Sequence, residues 1–118
     1  MYTPGKRGEA WLGEIKHTTV SARYNATRVL IAAVAGKRLV VVAASIICSG
    51  LVAGTMDAVF KSGTTALSGT IQIANAEQIG LEFNPAGWLV TAAGEALNVT
   101  LGNDTSGHLS GWLRYVEA

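Results

Sequence analysis

Apolar and polar residues alternate in short runs along this chain, and turn-forming residues separate the runs. The pattern is clearest in Ile79–Phe83 (IGLEF) and Ala96–Leu101 (ALNVTL), where apolar side chains occupy every second position. Asn84–Gly87 (NPAG) and Gly102–Gly107 (GNDTSG) follow these runs and are typical of tight turns. An apolar–polar alternation with a period of two, interrupted by a turn about every eight to twelve residues, predicts a β-sandwich or barrel.

The same pattern predicts about eight antiparallel strands and no long helix. The candidate strand segments are Glu14–Ala22, Thr27–Val34, Arg38–Cys48, Met56–Lys61, Leu67–Ile73, Ile79–Phe83, Trp88–Thr91, Ala96–Leu101 and Leu109–Val116. Turns are predicted at Tyr24-Asn25 and at Ala35-Gly36-Lys37. The strongest predicted hairpin is the strand pair within Arg28–Cys48, although periodicity alone leaves a short helix over Val29–Val34 as an alternative.

The need to protect strand edges sets the predicted architecture. Strands without a covering helix must avoid pairing with other chains, and a jelly roll of two packed sheets is one solution. We therefore predict an all-β, jelly-roll-like β-sandwich over residues 14–118, preceded by an extended N-terminal arm over residues 1–13. The side chains expected between the sheets are Leu30, Val41, Ile46, Phe60, Ile71, Ile73, Leu81, Phe83, Leu97, Val99, Leu101 and Leu113.

Composition adds an expectation about partners. The chain has 118 residues, enough for one domain with one core, and a net charge of +1. Only 14% of its residues are charged, whereas about 25% is usual in soluble domains. A small domain with so few charges is expected to bury part of its apolar surface against other chains. The near-neutral charge provides no long-range field that would favour nucleic acid.

The residue types that usually carry chemistry are few and scattered. His17 and His108 are the only histidines, and neither has a second ligand at a spacing typical of a metal site. Cys48 is the single cysteine and lies in an apolar run, which predicts a buried thiol rather than a nucleophile. No motif brings Glu82 and Glu95 together as a catalytic pair. We predict no catalytic residue, no metal site and no cofactor.

One uncharged segment, Leu39–Met56, is nearly long enough to cross a membrane as a helix. Gly50 and Gly54 interrupt it, and its β-branched residues are concentrated in Val40–Val42 and Ile46-Ile47. Two buried strands joined at a turn near Gly50 are therefore the expected structure. No membrane partner is predicted.

The N-terminal segment combines basic and aromatic residues, which are favoured at protein interfaces. Tyr2, Lys6, Arg7 and Trp11 are predicted to bind a protein partner. A nucleic acid site would need aromatic side chains interleaved with a basic stripe, and here the aromatic residues are scattered.

Three further aromatic residues are candidates for the core or for a subunit contact. Trp112 is expected in the core. Trp88 and Tyr115 are predicted at a contact between subunits, and a core position for Trp88 is equally compatible with the sequence.

Three motifs in the second half of the chain resemble those of small virion proteins of tailed bacteriophages. They are VFKSGTTALSG (Val59–Gly69), LEFNPAGWLVTAAGEALNVTL (Leu81–Leu101) and SGWLRYVE (Ser110–Glu117). The resemblance covers about half of the chain, from Val59 to the end, and does not extend to Met1–Asn25. Because the motifs consist of turns and strand faces, they bear on the fold more directly than on the role.

The resemblance implies a small jelly roll that decorates a capsid. Proteins of this group with an assigned role are often decoration, or cement, proteins, which commonly sit as trimers between head-protein capsomers. The implied partners are the major capsid protein and two further copies of the chain, and the implied location is the outer capsid surface of the virion. The resemblance implies no catalytic residue.

Two alternatives belong to other functional classes. A receptor- or glycan-binding module of a phage head fibre or tail fibre would expose aromatic residues in loops such as Asn84–Trp88 and Gly102–His108. A cupin-like metalloenzyme could use the same architecture, but the sequence has no cluster of histidines to hold its metal.

Overall fold

The structure, a computed structural model, describes residues 6–7, 10–11, 13–23, 26–52, 54–104 and 106–118. Within these residues the chain forms strands and no helix. The strands are β1 (Lys6–Arg7), β2 (Ala10–Trp11), β3 (Ile15–Arg23), β4 (Ala26–Ile31), β5 (Leu39–Ser49), β6 (Thr55–Ser62), β7 (Thr65–Ala66), β8 (Ile71–Ala74), β9 (Gln78–Leu81), β10 (Leu89–Val90), β11 (Leu97–Gly102) and β12 (His108–Glu117). The predicted turn at Tyr24-Asn25 lies outside the described residues.

Two antiparallel sheets pack together as a β-sandwich, which confirms the predicted fold class. In the first sheet β12 lies between β3 and β5, and the other edge of β5 pairs with both β9 and β10. In the second sheet β11 lies between β4 and β6, and the other edge of β6 pairs with β7 and β8. This order is compatible with the predicted jelly roll of eight main strands. The short strands β1 and β2 pair with each other.

The predicted hairpin within Arg28–Cys48 is wrong, because its two strands belong to different sheets. β4 pairs with β11 in the second sheet, whereas β5 pairs with β12 in the first. The chain does turn at Ala35-Gly36, where the Lys37 amide donates to the Val34 carbonyl at 3.0 Å. The turn therefore connects the two layers instead of two neighbouring strands. The alternative helix over Val29–Val34 is also wrong, since β4 extends to Ile31.

The core lies between the two sheets, and most of the predicted core residues are buried there. Ile71 and Leu81 are partly buried and pack against this core. Phe83 is a wrong prediction, since 57% of its surface is exposed. The reason is that β9 ends at Leu81, so the alternation that would have turned Phe83 inward stops before it.

The strand β5 is apolar on both of its faces. Val41 faces the main core, whereas Val40 and Val42 contact Val116 in a second, smaller cluster. A register shift opposite β12 contributes to this arrangement, because Arg114 pairs with Ala43 while Tyr115 pairs with Val41. As predicted, the uncharged segment Leu39–Met56 contains the buried strand β5, the turn that follows it and the start of β6. The described residues include no helix long and apolar enough to cross a membrane.

Gly111 allows β12 and β5 to approach each other closely. Its φ is 146°, a conformation that L-residues with a side chain rarely adopt. A Cβ atom at this position would collide with the carbonyl oxygen of Ser45 on the facing strand. Because that obstacle is backbone, only a shift of the central strand pair could relieve the collision.

We expect Gly111→Ala to lower the free energy of unfolding by about 3 kcal/mol, through overpacking and backbone strain. Denaturant unfolding followed by circular dichroism measures this loss. Gly80→Ala is the matched control on the neighbouring β9, because no atom lies within 4 Å of its added Cβ. Equal stability of the two variants would contradict the proposed close approach.

Candidate interaction surfaces

Among the residues that the structure describes, the most exposed aromatic side chains lie in one loop, residues 82–88, which we call the aromatic loop. It connects β9 to β10 along the edge of the first sheet. Phe83 is 57% exposed and Trp88 is 47% exposed. Trp88 is therefore not a core residue, and its predicted place at a subunit contact stays a prediction.

Hydrogen bonds fix the aromatic loop to the sheet and to itself. The amides of Asn84 and Trp88 donate to the Val42 and Val41 carbonyls, each at 2.7 Å. The indole Nε1 of Trp88 donates to the Glu82 carbonyl at 2.7 Å.

Within the turn of this loop, the Asn84 side chain accepts from the Ala86 amide at 3.0 Å. The Gly87 amide donates to the Asn84 carbonyl at 2.9 Å, and Gly87 has a φ of 88° that favours glycine. A loop held in this way presents its rings with little conformational entropy left to lose on binding.

Tyr115 is separated from Trp88 by the sheet. It is partly buried and packs against the main core, opposite Val41 on the neighbouring strand. The structure thus places the two predicted interface residues on the same end of the first sheet but does not bring them into one exposed patch.

A second surface is the face of the first sheet directed away from the core. Trp112 lies there, because Leu109 and Leu113 on the same strand point into the core. The expected core position of Trp112 is therefore wrong. Its ring stacks with His17, at 6.1 Å between centroids and 28° between planes, and the Arg114 guanidinium lies 5.2 Å from the centroid.

The direct neighbours of Trp112 on the two adjacent strands are small. They are Thr19 and Ser45, and Gly80 is opposite Ser45. The cluster of Trp112, His17 and Arg114 consequently stands beside small side chains, which suits contact with a complementary surface.

The described part of the N-terminal segment is limited to backbone. Lys6–Arg7 and Ala10–Trp11 form the antiparallel pair β1–β2. Tyr2 and the side chains of Lys6, Arg7 and Trp11 lie outside the described residues, so their predicted role in binding a partner stays a prediction.

A buried carboxylate organises the loop between β11 and β12. Asp104 is only 4% exposed and accepts from the amides of Ser106 at 2.8 Å and Gly107 at 2.7 Å. It also accepts from the Val52 amide in the loop after β5, at 3.0 Å. The sequence predicted a turn here but not this hydrogen-bond network. The signal that could have indicated the network is the Asp-x-Ser-Gly spacing, which is typical of a turn with a side-chain acceptor.

The side chains considered for chemistry do not come together. His17 stacks on Trp112, whereas His108 Nε2 is 3.4 Å from Ser49 Oγ at the other end of the same strands. Glu95 accepts a hydrogen bond from Ser62 at 2.5 Å, and Glu82 belongs to the aromatic loop.

Cys48 is fully buried in the main core, as predicted. Burial is the largest cause that raises the pKa of its thiol, and the negative charge of Asp104 acts in the same direction. A raised thiol pKa means that the group stays protonated at neutral pH, where the thiolate is the reactive species.

We expect the native protein to react with a thiol-specific reagent such as dithionitrobenzoate at neutral pH about 100-fold more slowly than the unfolded chain. Absorbance after mixing gives the rate, and the same protein in denaturant is the control. A native rate close to that of the unfolded chain would show that the thiol is open to solvent and contradict this burial.

The remaining chemistry of the described surface is sparse. No pocket and no group of three or more metal-ligating side chains is found among the residues that the structure describes. Comparisons of the chain with protein-family models, with curated proteins and with solved structures give no match.

Proposed function

We propose that this protein is a capsid decoration protein of a tailed bacteriophage, which binds the outer surface of the head lattice as a trimer and stabilises it. The observation that carries the proposal is the resemblance of residues 59–117 to small phage virion proteins. The fold provides a physical explanation for these motifs, because residues from different motifs meet in space although they are far apart in the chain.

The first and second motifs join at one corner of the sandwich. Ser62, from the FKSG sequence, donates to the carboxylate of Glu95, from the AGEALN sequence, at 2.5 Å. The same Ser62 oxygen accepts from the Ala92 amide at 2.9 Å, and the Asn98 side chain donates to the Gly63 carbonyl at 2.9 Å. The residues of the two motifs thus act as a unit that fixes the end of β6 to β11 and to the loop before β11.

The third motif, SGW, contains the glycine that lets β12 approach β5. Its tryptophan lies on the outer face of the first sheet. The resemblance therefore includes one residue that the fold requires and one that is available to a partner.

The surfaces of the described residues suit a protein that binds a repeated lattice. Such a protein needs shape-complementary contacts and no chemistry, and many identical contacts add up to a high avidity. The rigid aromatic loop and the face around Trp112 are proposed as surfaces of this kind. The major capsid protein is the proposed partner, and the N-terminal segment is the proposed arm that reaches it.

We expect a variant that lacks residues 1–13 to lose binding to expanded, undecorated heads, because the proposed capsid-binding side chains Tyr2, Lys6, Arg7 and Trp11 are removed. Co-sedimentation with heads measures binding, and circular dichroism with thermal unfolding checks that the variant is folded. Full-length Trp11→Ala tests the same role without truncation and is expected to weaken binding about tenfold or more. Saturation of heads by both variants would contradict the proposed arm.

The second candidate function is glycan binding in a phage fibre. The exposure of Phe83 and Trp88 in one rigid loop favours it, since aromatic rings with exposed faces are used to stack on sugars. The loop between β11 and β12 offers no comparable aromatic ring.

If this second function holds, Trp88→Ala will abolish binding on a glycan array, with a loss of at least about 1 kcal/mol for the removed ring contact. Trp112→Ala is the matched control, because its ring lies on the central strand β12 and not in the aromatic loop. No binding by the wild-type protein, or equal binding by the Trp88→Ala variant, would contradict glycan recognition by the aromatic loop.

A further inference from the structure

The two sides of the sandwich differ in charge. One side consists of the edge strands β3 and β4, which pack against each other. The opposite side of the first sheet consists of β9, β10 and the aromatic loop. We call them the β3 side and the β9 side.

The β3 side is basic at one end. Arg23 and Arg28 are both exposed there, and the Arg28 side chain donates to the Arg23 carbonyl at 3.3 Å. Lys16 is paired with Glu117 at 3.1 Å, so that its charge is balanced within the molecule. Glu14 is exposed beyond the other end of β3.

The β9 side is acidic. Glu77 and Glu82 flank β9 directly, and both are exposed. The Glu77 carboxylate accepts from the Ala74 amide at 2.6 Å, which holds it at the sheet edge.

The strand register places the opposite charges at the same level along the strands. Arg23 on β3 pairs with His108 on β12, and His108 pairs with Ser49 on β5. On the other edge of the sheet, the carbonyl of Glu77 accepts from the amide of the adjacent Cys48 at 3.1 Å. Arg23 and Glu77 therefore lie at the same end of the first sheet, on opposite sides.

The exposed apolar residues match in the same way. Ile15 is 50% exposed and aligns across the sheet with Val116 and Val40. Trp88, 47% exposed, is bonded through its amide to Val41, next to that row. The two sides thus have opposite charges at the end of Arg23 and Glu77 and exposed apolar residues at the other end, where Glu14 and Glu82 are also exposed.

We propose that copies of this chain associate through contact of the β3 side of one copy with the β9 side of the next. A rotation about an axis parallel to the strands keeps every residue at its level, so Arg23 meets Glu77 and Ile15 meets the aromatic loop. In the first sheet β9 runs antiparallel to β3, so the contacting edges continue the antiparallel order. Such a contact joins two different surfaces, and repeating it closes a ring when the rotation divides a full turn evenly. The expectation of three copies in the ring rests on the proposed function, whereas the contact between copies does not.

The test is the molar mass of the full chain, without capsids, from light scattering coupled to size-exclusion chromatography over a range of concentrations. We expect the wild type to form a closed assembly of more than two copies. Arg23→Glu and Glu77→Lys are each expected to weaken it at least about tenfold, because like charges then meet. The double variant Arg23→Glu/Glu77→Lys is expected to regain the wild-type mass, because the pair is restored with its charges exchanged.

Lys37→Glu is the control, since this exposed lysine lies in the turn between β4 and β5 and belongs to neither of the two defined sides. It should assemble like the wild type, and circular dichroism should show the same fold for all variants. A monomeric or dimeric wild type, or a double variant no better than the single variants, would overturn the proposed contact. Head binding is measured separately. If the protein forms a ring but does not bind heads, only the decoration role is refuted. If it binds heads as a monomer, only the proposed contact is refuted.

Discussion

The pairing of β5 with β12 is the constraint on which the rest of the structure depends. These strands are the two longest and form the centre of the first sheet, with β3 on one side and β9 and β10 on the other. β5 is buried on both faces, so it contributes to the main core and to the cluster of Val40, Val42 and Val116. Gly111 makes the close approach of the two backbones sterically allowed. The aromatic loop is bonded to β5, and Trp112 is carried by β12, so both candidate surfaces depend on this pair.

Much of this fold follows from a period of two. Alternation identified the faces of β11, and turn-forming residues identified the turn after β4, because each depends on residues close in the chain. The partner of β4 depends instead on contacts distant in sequence. Apolar residues of β4 can pack on either sheet, and a turn signal does not say whether the next strand pairs in the same layer or crosses to the other.

The candidate surfaces were harder to predict, for a related reason. Trp112 is apolar, but the phase of the alternation along β12 decides on which face of the sheet its side chain lies. Leu109 and Leu113 occupy the positions that face the core. Phe83 continues the alternation of β9 in sequence, yet the amide of Asn84 bonds to β5 and turns the chain away. In both cases local hydrophobicity predicted burial, and the backbone pairing decided against it. Large rings that are exposed for this reason are the residues a sequence pattern alone assigns to the core.

The buried Asp104 network and the Ser62–Glu95 bond show how a chain with little charge uses the charges it has. Asp104 joins the loops after β5 and β11, and Glu95 ties the end of β6 to the loop before β11. Both carboxylates thus fix loops, and the buried Asp104 is tolerated because backbone donors surround it. Among the few exposed charges on the edges, Arg23 and Arg28 lie on the β3 side and Glu77 and Glu82 on the β9 side. A few separated charges on otherwise neutral edges select a partner and its orientation more than they add affinity, and the exposed apolar residues between them supply the contact area.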